Sequence, residues 1–595
     1  MFSFRGTRMI LQKPRRKLVI CDRNWKGARD NPTILSELID EITEGFLEEL
    51  DLASAQQRWE NIAVAKLNVV LADNRKPRLI MDGTVSGVNS SCFLNERYCL
   101  PSLKDVRSAF PLRMNNEDLS AFSLDIRAAH KTIRIRKKDR GLAGIKLEDG
   151  RHLWYRVCPF GTGFSALWWA RLSAFMIRTF HLLIWLCHAL GIFVDDLLLW
   201  QGDKAIEISG CLILSFCQAY NVPLSWHKLQ CGYKVKWIGW LFNFRAGTFS
   251  LPTDKIEKIL RSVRVVLRPG NVDRCDLEKT VGLLQWVSQI SPELRPWMAF
   301  LYADLHRPVA TNHHVDSGEW HLLHEYLDDN LRFTSQPPGT AIPRGARLLS
   351  TRHIEMHTKQ DLDKVPLTSR RVYMRISDPR HRKISECSRK FMEFWEAWCM
   401  RSPLEQCLHL PPRSIACTLA ADACAQGSSI GIGGFLRVEG SPVLWFSERF
   451  EKSDFDGLNI PLDNNTQKNI GCWELLAQIA LAFLFAETCP GGRCRIQLRT
   501  FCDNASAQAS ANRLMTTSSP LCFFAQQLAF VAFRHGITLD VHRISGFRNE
   551  EADYLSRWNG TDPLVPEFAA TFRYRYPVKR MWQSPAGTRL LWSPP

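Results

Sequence analysis

The chain has 595 residues, of which 45% are hydrophobic and 23% charged. These are globular proportions that exclude a disordered tail, and the length suggests about four domains of ordinary size. Lys and Arg number 77 against 60 Asp and Glu, a formal charge of +17. That balance favours an anionic partner, nucleic acid before an acidic membrane surface.

The 19 cysteines are scattered, with no CxxC pair and no cysteine–histidine cluster at zinc spacing. Cys489 and Cys494 flank a Pro-Gly-Gly-Arg turn, but two ligands do not make a structural site. Free buried thiols in a reducing, intracellular compartment, cytoplasm or nucleus, are the expectation. The N-terminus lacks the apolar core of a secretory signal. The most membrane-like stretch, 180–200, contains His181 and His188 and ends near Asp195-Asp196. A spanning helix would bury those carboxylates at high cost, so a buried helix followed by a buried strand is expected, with no membrane partner.

In chain order, 34–60 reads as an acidic amphipathic helix with Gly45 a possible break. Residues 62–82 read as two short strands around a turn at Asp73-Asn74. Residues 119–136 pass from an apolar run into an alternation of basic and apolar residues that predicts a half-buried strand. Residues 164–190 have the length and apolar content of a helix. Residues 192–200 predict strand, turn and strand with two acids at the bend. Residues 233–250 predict a hairpin, and 252–305 predict helices broken at Pro269-Gly270. Residues 306–405 are irregular and basic, as in a linker or connecting domain. A fresh α/β pattern runs from about 411 to 558, and the tail alternates aromatic and basic residues, including Arg573-Tyr574-Arg575-Tyr576.

Two sets of acids carry chemistry. Asp125 follows Phe122-Ser123-Leu124, and Asp195-Asp196 follow Ile192-Phe193-Val194. A strand ending in an acid and a hairpin with acids at its turn can lie side by side in one sheet, so that their carboxylates converge. Two unit charges ~4 Å apart repel by about 4 kcal/mol at an effective dielectric of 20. Either one acid is protonated or a divalent cation sits between them. Carboxylate oxygens suit Mg²⁺. Paired ions of this kind can activate a hydroxyl and stabilise a leaving pyrophosphate.

The first set resembles the reverse transcriptases. Phe193-Val194-Asp195-Asp196 looks like their catalytic box, and Leu124-Asp125-Ile126-Arg127-Ala128-Ala129-His130 resembles their first catalytic motif. Cys158-Pro159-Phe160-Gly161-Thr162-Gly163 resembles the Pro-x-Gly motif that packs against template and incoming nucleotide. Arg78-Leu79-Ile80-Met81-Asp82 resembles the fingers strand whose Arg holds the triphosphate. Lys228 and Trp237-Ile238-Gly239-Trp240-Leu241 resemble the last palm motif and the primer grip, and Gly282-Leu283-Leu284-Gln285-Trp286 the segment after the palm. The resemblance implies that Asp125, Asp195, Asp196 and the carbonyl of Ile126 hold the metals. It implies that Arg78 and Lys66 bind the triphosphate and that Lys228 protonates pyrophosphate. His130 stands where the family often has Phe or Tyr to exclude a 2′-hydroxyl, and Phe160 where some members carry Gln.

The second set is Asp422, Glu474, Asp503 and Asp553. Asp422 is expected in a buried strand before the glycine-rich Gly431-Ile432-Gly433-Gly434. Glu474 is expected to open an apolar helix, Asp503 to follow a strand, and Asp553 to lie in Asn549-Glu550-Glu551-Ala552-Asp553-Tyr554-Leu555-Ser556-Arg557. Together these residues resemble the Asp-Glu-Asp-Asp set of ribonuclease H, which implies two further Mg²⁺ ions, one activating water and the other stabilising the leaving 3′-oxygen. Many relatives carry a His in the loop before the last Asp; here that loop reads Ile544-Ser545-Gly546-Phe547-Arg548, and His542 comes early.

The implied fold class is α+β: a right-hand polymerase followed by an α/β ribonuclease H-like domain. The boundaries are 1–250 for fingers and palm, 251–310 for the thumb, 311–410 for a connection, 411–560 for the nuclease-like domain and 561–595 for the tail. The implied activity is RNA-directed DNA polymerisation with cleavage of the RNA strand of hybrids, using Mg²⁺ or Mn²⁺. The implied partners are an RNA template, a DNA primer, an RNA–DNA hybrid and deoxynucleoside triphosphates. A polymerase with an inactive nuclease domain and a non-catalytic nucleic-acid scaffold stay open at this stage. No protease box or integrase zinc head is visible, so the polymerase–nuclease portion of a retroelement, or a stand-alone copy, is expected. The Arg573-Tyr574-Arg575-Tyr576 run either stacks on single-stranded bases or docks on the domain before it.

Overall fold

The computed structural model describes residues 18–29, 33–71, 77–94, 96–110, 117–316, 347–351, 371–401, 405–413, 417–488 and 495–582. Asp73-Asn74, Cys489 and Cys494 lie outside the described residues. The chain is mixed helix and sheet. It divides into two compact units, one of residues 1–252 with 405–410 and one of 253–404 with 411–595. The short segment at 405–410, placed by the sequence in a connection, therefore belongs with the first unit. There Gln406–Cys407 adds a fourth strand to Thr248–Ser250, and Arg107 Nε reaches the carbonyl of Leu408.

The first unit is built on three sheets. A five-stranded sheet runs in the order Leu47–Glu49, His152–Tyr155, Gly144–Lys146, Val64–Val70, Arg78–Asp82. A four-stranded sheet runs His188–Phe193, Asp196–Gly202, Leu119–Asp125, Gln230–Gly232. Its central strands are apolar because both faces are covered, and Leu197, Leu198 and Leu199 are fully buried. The helices Gly163–Leu183 and Asp203–Ala219 cover one face, with Met176, Phe180, Ile206 and Ile213 in one core with Phe122 and Leu124, and on the other face Trp200 stacks on Phe244.

Three sequence expectations in this unit change. The 34–60 helix is two helices, Thr33–Thr43 and Leu52–Arg58, separated by a turn at Gly45 and the strand Leu47–Glu49. Asp51 caps the second by accepting from the Ser54 amide at 2.9 Å. The alternating stretch after Asp125 is not a strand. It turns through a short 3-10 helix, Ala129–Thr132, between isolated bridges from Ile126 to Leu224 and from Arg134 to Val157. The 233–250 segment forms three strands, Lys234–Trp237, Trp240–Asn243 and Thr248–Ser250.

In the second unit, helices Thr253–Leu267, Arg274–Val287, Met298–His306 and Glu386–Met400 carry apolar buried faces. Asp304 takes the Ser385 amide and hydroxyl at 2.8 and 2.9 Å, and Arg264 pairs with Glu396 at 2.7 Å. A six-stranded sheet runs Ile537–Arg543, Ile496–Cys502, Cys417–Gln426, Ser429–Val438, Leu444–Glu451, Arg573–Tyr574. Strand alternation sorts its side chains onto two faces. Leu419, Ala421 and Ala423 join the core made by helices Ile470–Thr488 and Leu521–His535. Ala420, Phe435 and Trp445 join Ala552 and Leu555 of helix Glu550–Arg557.

Thr466–Thr488 is long and apolar enough to cross a membrane, but 78% of its apolar 18-residue window is buried among protein. A helix apolar on every side is a core helix when sheet and helix cover it, as they do here. Phe180–Trp200, the more membrane-like stretch by sequence, is a helix end, a loop and a hairpin.

The tail is part of the second unit. Arg573–Tyr574 pairs in parallel with the strand Leu444–Glu451. Arg575 pairs with the buried Glu448 at 2.9 Å, Tyr576 is fully buried, and Arg573 lies over the Trp445 and Trp558 rings. The segment docks on the sheet through strand pairing, the Arg575–Glu448 ion pair and the buried Tyr576 ring.

Helix Glu550–Arg557 lies so close to the sheet that only glycine fits beneath it. A Cβ on Gly433 would stand 2.2 Å from the Ser556 amide and 2.3 Å from the Leu555 carbonyl carbon. Gly433→Ala is therefore expected to lift the helix and cost about 1–3 kcal/mol. Urea unfolding measures this, and an unchanged midpoint would contradict the packing described.

Candidate active sites

Asp125 ends the strand Leu119–Asp125 and stands directly opposite Asp196 in antiparallel register. The Ile126 amide donates to the Asp195 carbonyl at 2.8 Å. The first set of acids thus shares one edge of one sheet. Burial raises the pKa of both turn acids, and the Asp125 charge raises them further. The Asp196 carboxyl is pushed up to about 7 by burial, then by Asp125 and Asp195, against hydrogen bonds from Ile238 N–H and Ser123.

Two cations lean on this cluster. Lys228 Nζ donates to Asp125 Oδ2 at 2.8 Å. Lys228 and the exposed Arg78 both lower the Asp195 pKa through their charge. Lys66 stands opposite Asp82 in register, with Nζ 4.7 Å from the centre of the Trp25 ring.

Phe160 and Gly161 form a loop clamped to the strand Arg78–Asp82. The Met81 amide donates to the Phe160 carbonyl at 2.9 Å. Gly161 has φ +96, and a Cβ there would lie 2.2 Å from the Met81 carbonyl oxygen. Asn89 holds the other side, donating to the Gly161 carbonyl and accepting from the Gly163 amide. His130 meets the Phe160 ring edge-on at 5.2 Å. Burial lowers its pKa and its Nδ1 has no partner, so it is a neutral wall rather than a charge.

The second set is tighter. Ligand oxygens of Asp422, Glu474 and Asp503 all lie within 4.8 Å of one another, the one such group among the described residues. Asp422 is 2% and Glu474 4% exposed. Burial, then Asp503, pushes the Asp422 carboxyl up to about 7, while burial, then Asp422 and Asp503, pushes Glu474 up to about 9. Glu474 Oε2 is buried with no hydrogen-bond partner. An orphaned oxygen inside a triad of oxygens is a donor set that fits a hard divalent cation. Glu474 lies in the second turn of its helix and does not cap it. Asp553 raises the pKa of both Asp422 and Glu474 but stands outside the tight group, in an ion pair with Arg557 at 2.8 Å.

Several residues here escaped the sequence reading as site residues. Ser556 Oγ lies 3.0 Å from Asp422 Oδ2 and 2.9 Å from the Asp553 carbonyl, and its one proton can serve only one of them. Asn549 Nδ2 lies 3.4 Å from Asp422 Oδ1. Both were in the quoted string around Asp553, where Asn and Ser at four residues before and three after mark one turn of helix on either side. Asn89 carried no local signal. His542 pairs with Asp540 at 3.2 Å. The loop that succeeds it packs on the cluster, with the Cβ position of Gly546 3.4 Å from Asp503 Oδ2.

No family model and no curated protein matches the chain. Solved structures do. A foamy viral protease–reverse transcriptase dRH in complex with double-stranded DNA aligns at 12% identity and TM-score 0.41 over 91% of this chain and 73% of that one. A second, also with double-stranded DNA, gives 12% and 0.40 over 90% and 86%. A third, with an RNA/DNA hybrid, gives 12% and 0.38 over 92% and 79%.

Glu474 yields a pH prediction. Its folded pKa is raised, so the neutral form's contribution to stability is complete below the unfolded value near 4.5 and is lost as pH rises through about 9. Asp422 and Asp196 act in the same direction up to about 7. Without divalent cations, the melting temperature should fall between about pH 5 and pH 9, and Glu474→Gln should flatten that fall. A variant whose profile has the parental slope would refute the assignment.

Proposed function

We propose that the chain is an RNA-directed DNA polymerase joined to a ribonuclease H that cuts the RNA strand of RNA–DNA hybrids. The observation that carries this reading is the presence, in one chain, of two separate carboxylate clusters whose buried members are pushed toward neutrality by burial and then by each other. Such clusters need cations to become ionised, and Mg²⁺ with oxygen ligands answers that need. The five motifs in family order, from Arg78 to the Trp237 hairpin, and the +17 charge support it further.

On this reading Asp125, Asp195 and Asp196, with the Ile126 carbonyl, hold the ions of a polymerase palm. Asp422, Glu474, Asp503 and Asp553 hold those of the nuclease. When bound, paired ions activate the attacking oxygen and stabilise the leaving one. The chain's own residues do the rest. Arg78 and Lys66 receive the triphosphate, and Phe160 and Gly161 form the floor beneath the incoming nucleotide. His130, held edge-on to Phe160, occupies the space near the sugar. Lys228, tied to Asp125, is within reach to give a proton to departing pyrophosphate. The template is RNA, the primer DNA, and the substrates deoxynucleoside triphosphates.

A second reading keeps the polymerase and silences the nuclease. It is favoured by one feature: the loop before Asp553 has no His, and His542 is bound to Asp540.

Primer extension with Mg²⁺ on matched RNA and DNA templates tests the first activity. Wild type should extend on RNA, and Asp195→Asn should lose activity on the order of 10³-fold. A wild type that extends on neither template defeats the polymerase. Hybrid cleavage tests the second: Asp422→Asn should abolish it while leaving extension intact. No cleavage by wild type would select the silent-nuclease reading.

A further inference from the structure

The turn that carries Asp195 and Asp196 is made of costly backbone. Val194, immediately before the acids, has φ +55, a left-handed conformation that a β-branched residue rarely adopts. Ile238, in the neighbouring hairpin, has φ +44 and is β-branched too. Two such residues beside one cluster need something to hold them.

The three consecutive carbonyls of the turn are each taken by a donor from a different part of the first unit. Trp169 Nε1 donates to the Val194 carbonyl at 2.5 Å. The Ile126 amide donates to the Asp195 carbonyl at 2.8 Å. Trp237 Nε1 donates to the Asp196 carbonyl at 3.0 Å. Both indoles are almost fully buried. The amide of the strained Ile238 donates to the Asp196 carboxylate itself. Helix Gly163–Leu183, the end of the Asp125 strand and the Trp237–Trp240 hairpin therefore meet at three successive peptides.

We infer that Trp169 and Trp237 are positioning residues: their indole N–H groups clamp the strained acid turn and so set where the Asp195 and Asp196 carboxylates point. This rests on the polymerase reading for its catalytic consequence, but not for its structural one. An indole suits the task because it is donor-only, so it cannot turn an acceptor toward the cluster. Its large rigid ring is fixed by packing, which leaves the N–H little freedom. Trp200 is the internal control. It lies in the same hairpin, is buried, stacks on Phe244 at 5.6 Å, and its Nε1 has no acceptor.

The test compares Trp169→Phe, Trp237→Phe and Trp200→Phe in the full chain, by Mn²⁺ binding followed by electron paramagnetic resonance, by duplex affinity and by primer extension. The nuclease cluster is weakened beforehand by Asp422→Asn, which removes its central carboxylate, so that only the other cluster binds Mn²⁺ tightly. Trp169→Phe and Trp237→Phe should each weaken Mn²⁺ binding and lower kcat by about five- to tenfold, with KM for the nucleotide and duplex affinity within about twofold of the parent. Trp200→Phe should leave all four unchanged. Val194→Asn, which tolerates the left-handed conformation, should restore part of the loss in Trp169→Phe. Should Trp237→Phe fail to fold, benzothienylalanine at that position keeps the shape and removes only the donor, with the same expected losses. Parental Mn²⁺ binding in both indole variants would overturn the clamp, as would an equal loss in Trp200→Phe. A parent that binds Mn²⁺ but extends no primer would count against the polymerase reading alone, with Mn²⁺ binding still deciding the clamp.

Discussion

Repulsion between carboxylates that the fold has partly removed from water is the constraint on which the rest depends. In water such charges a few ångströms apart interact weakly; at an effective dielectric near 20 each pair costs several kcal/mol. Folding can meet that cost by holding protons, and the raised values at Asp196, Asp422 and Glu474 record it doing so. It can also supply fixed donors and cations, as Lys228 does for Asp125 and Ser556 for Asp422. No fixed donor or cation answers Glu474, whose second oxygen is buried with no partner. A buried polar atom without a partner costs about 1–3 kcal/mol, so a cluster built around one is a cluster built for something that arrives later.

The two clusters reach this state by different backbone routes. The first uses a hairpin: antiparallel register sets Asp196 against Asp125, and the intervening turn presents Asp195. Its strain is local, at Val194 and Ile238, and so are the hydrogen bonds that contain it. The second uses a sheet and helices. Asp422 lies mid-strand, Asp503 just past the end of the parallel neighbour, and Glu474 on the core helix. Among the described residues no non-glycine residue beside that cluster has a positive φ; closeness comes from glycine. Gly431 and Gly433 let the helix Glu550–Arg557 settle backbone-to-backbone on the sheet, and that brings Ser556 and Asn549 to Asp422.

Much of this was legible in the residues. The acid hairpin, the two helices around Pro269-Gly270 and the strand before Asp503 announced themselves through apolar runs broken by acids or turn residues. What the sequence concealed has physical causes. After Asp125 the alternation Ile133, Ile135 satisfied a strand pattern, yet the chain turns in a 3-10 helix because Ala129 and Ile133 are drawn into the core around Asp125 instead of a ladder. The 34–60 segment kept its helical period across Gly45 because a strand of three residues is too short to disturb it. Trp169 and Asn89 carried no pattern at all. One looks like any residue of an apolar helix and the other like any loop Asn, and their roles exist only through partners 25 and 72 residues away.

The tail shows the same logic from the other side. Alternating aromatic and basic residues are what a single-strand platform needs, and also what an edge strand needs when it must cover tryptophans and answer a buried acid. Composition alone shows neither, and Glu448 accounts for the docking. At 4% exposure it requires a cation, Arg575 is that cation, and the Tyr576 amide completes the set at 2.8 Å. Once Arg575 is fixed, Arg573 and Tyr574 fall into register on the last strand and Tyr576 into the core. A charge that looks free in a sequence is therefore best judged by whether an acid elsewhere lacks a partner, the same test that separates Glu474 from Glu448: one buried acid has its arginine, and the other has only acids around it.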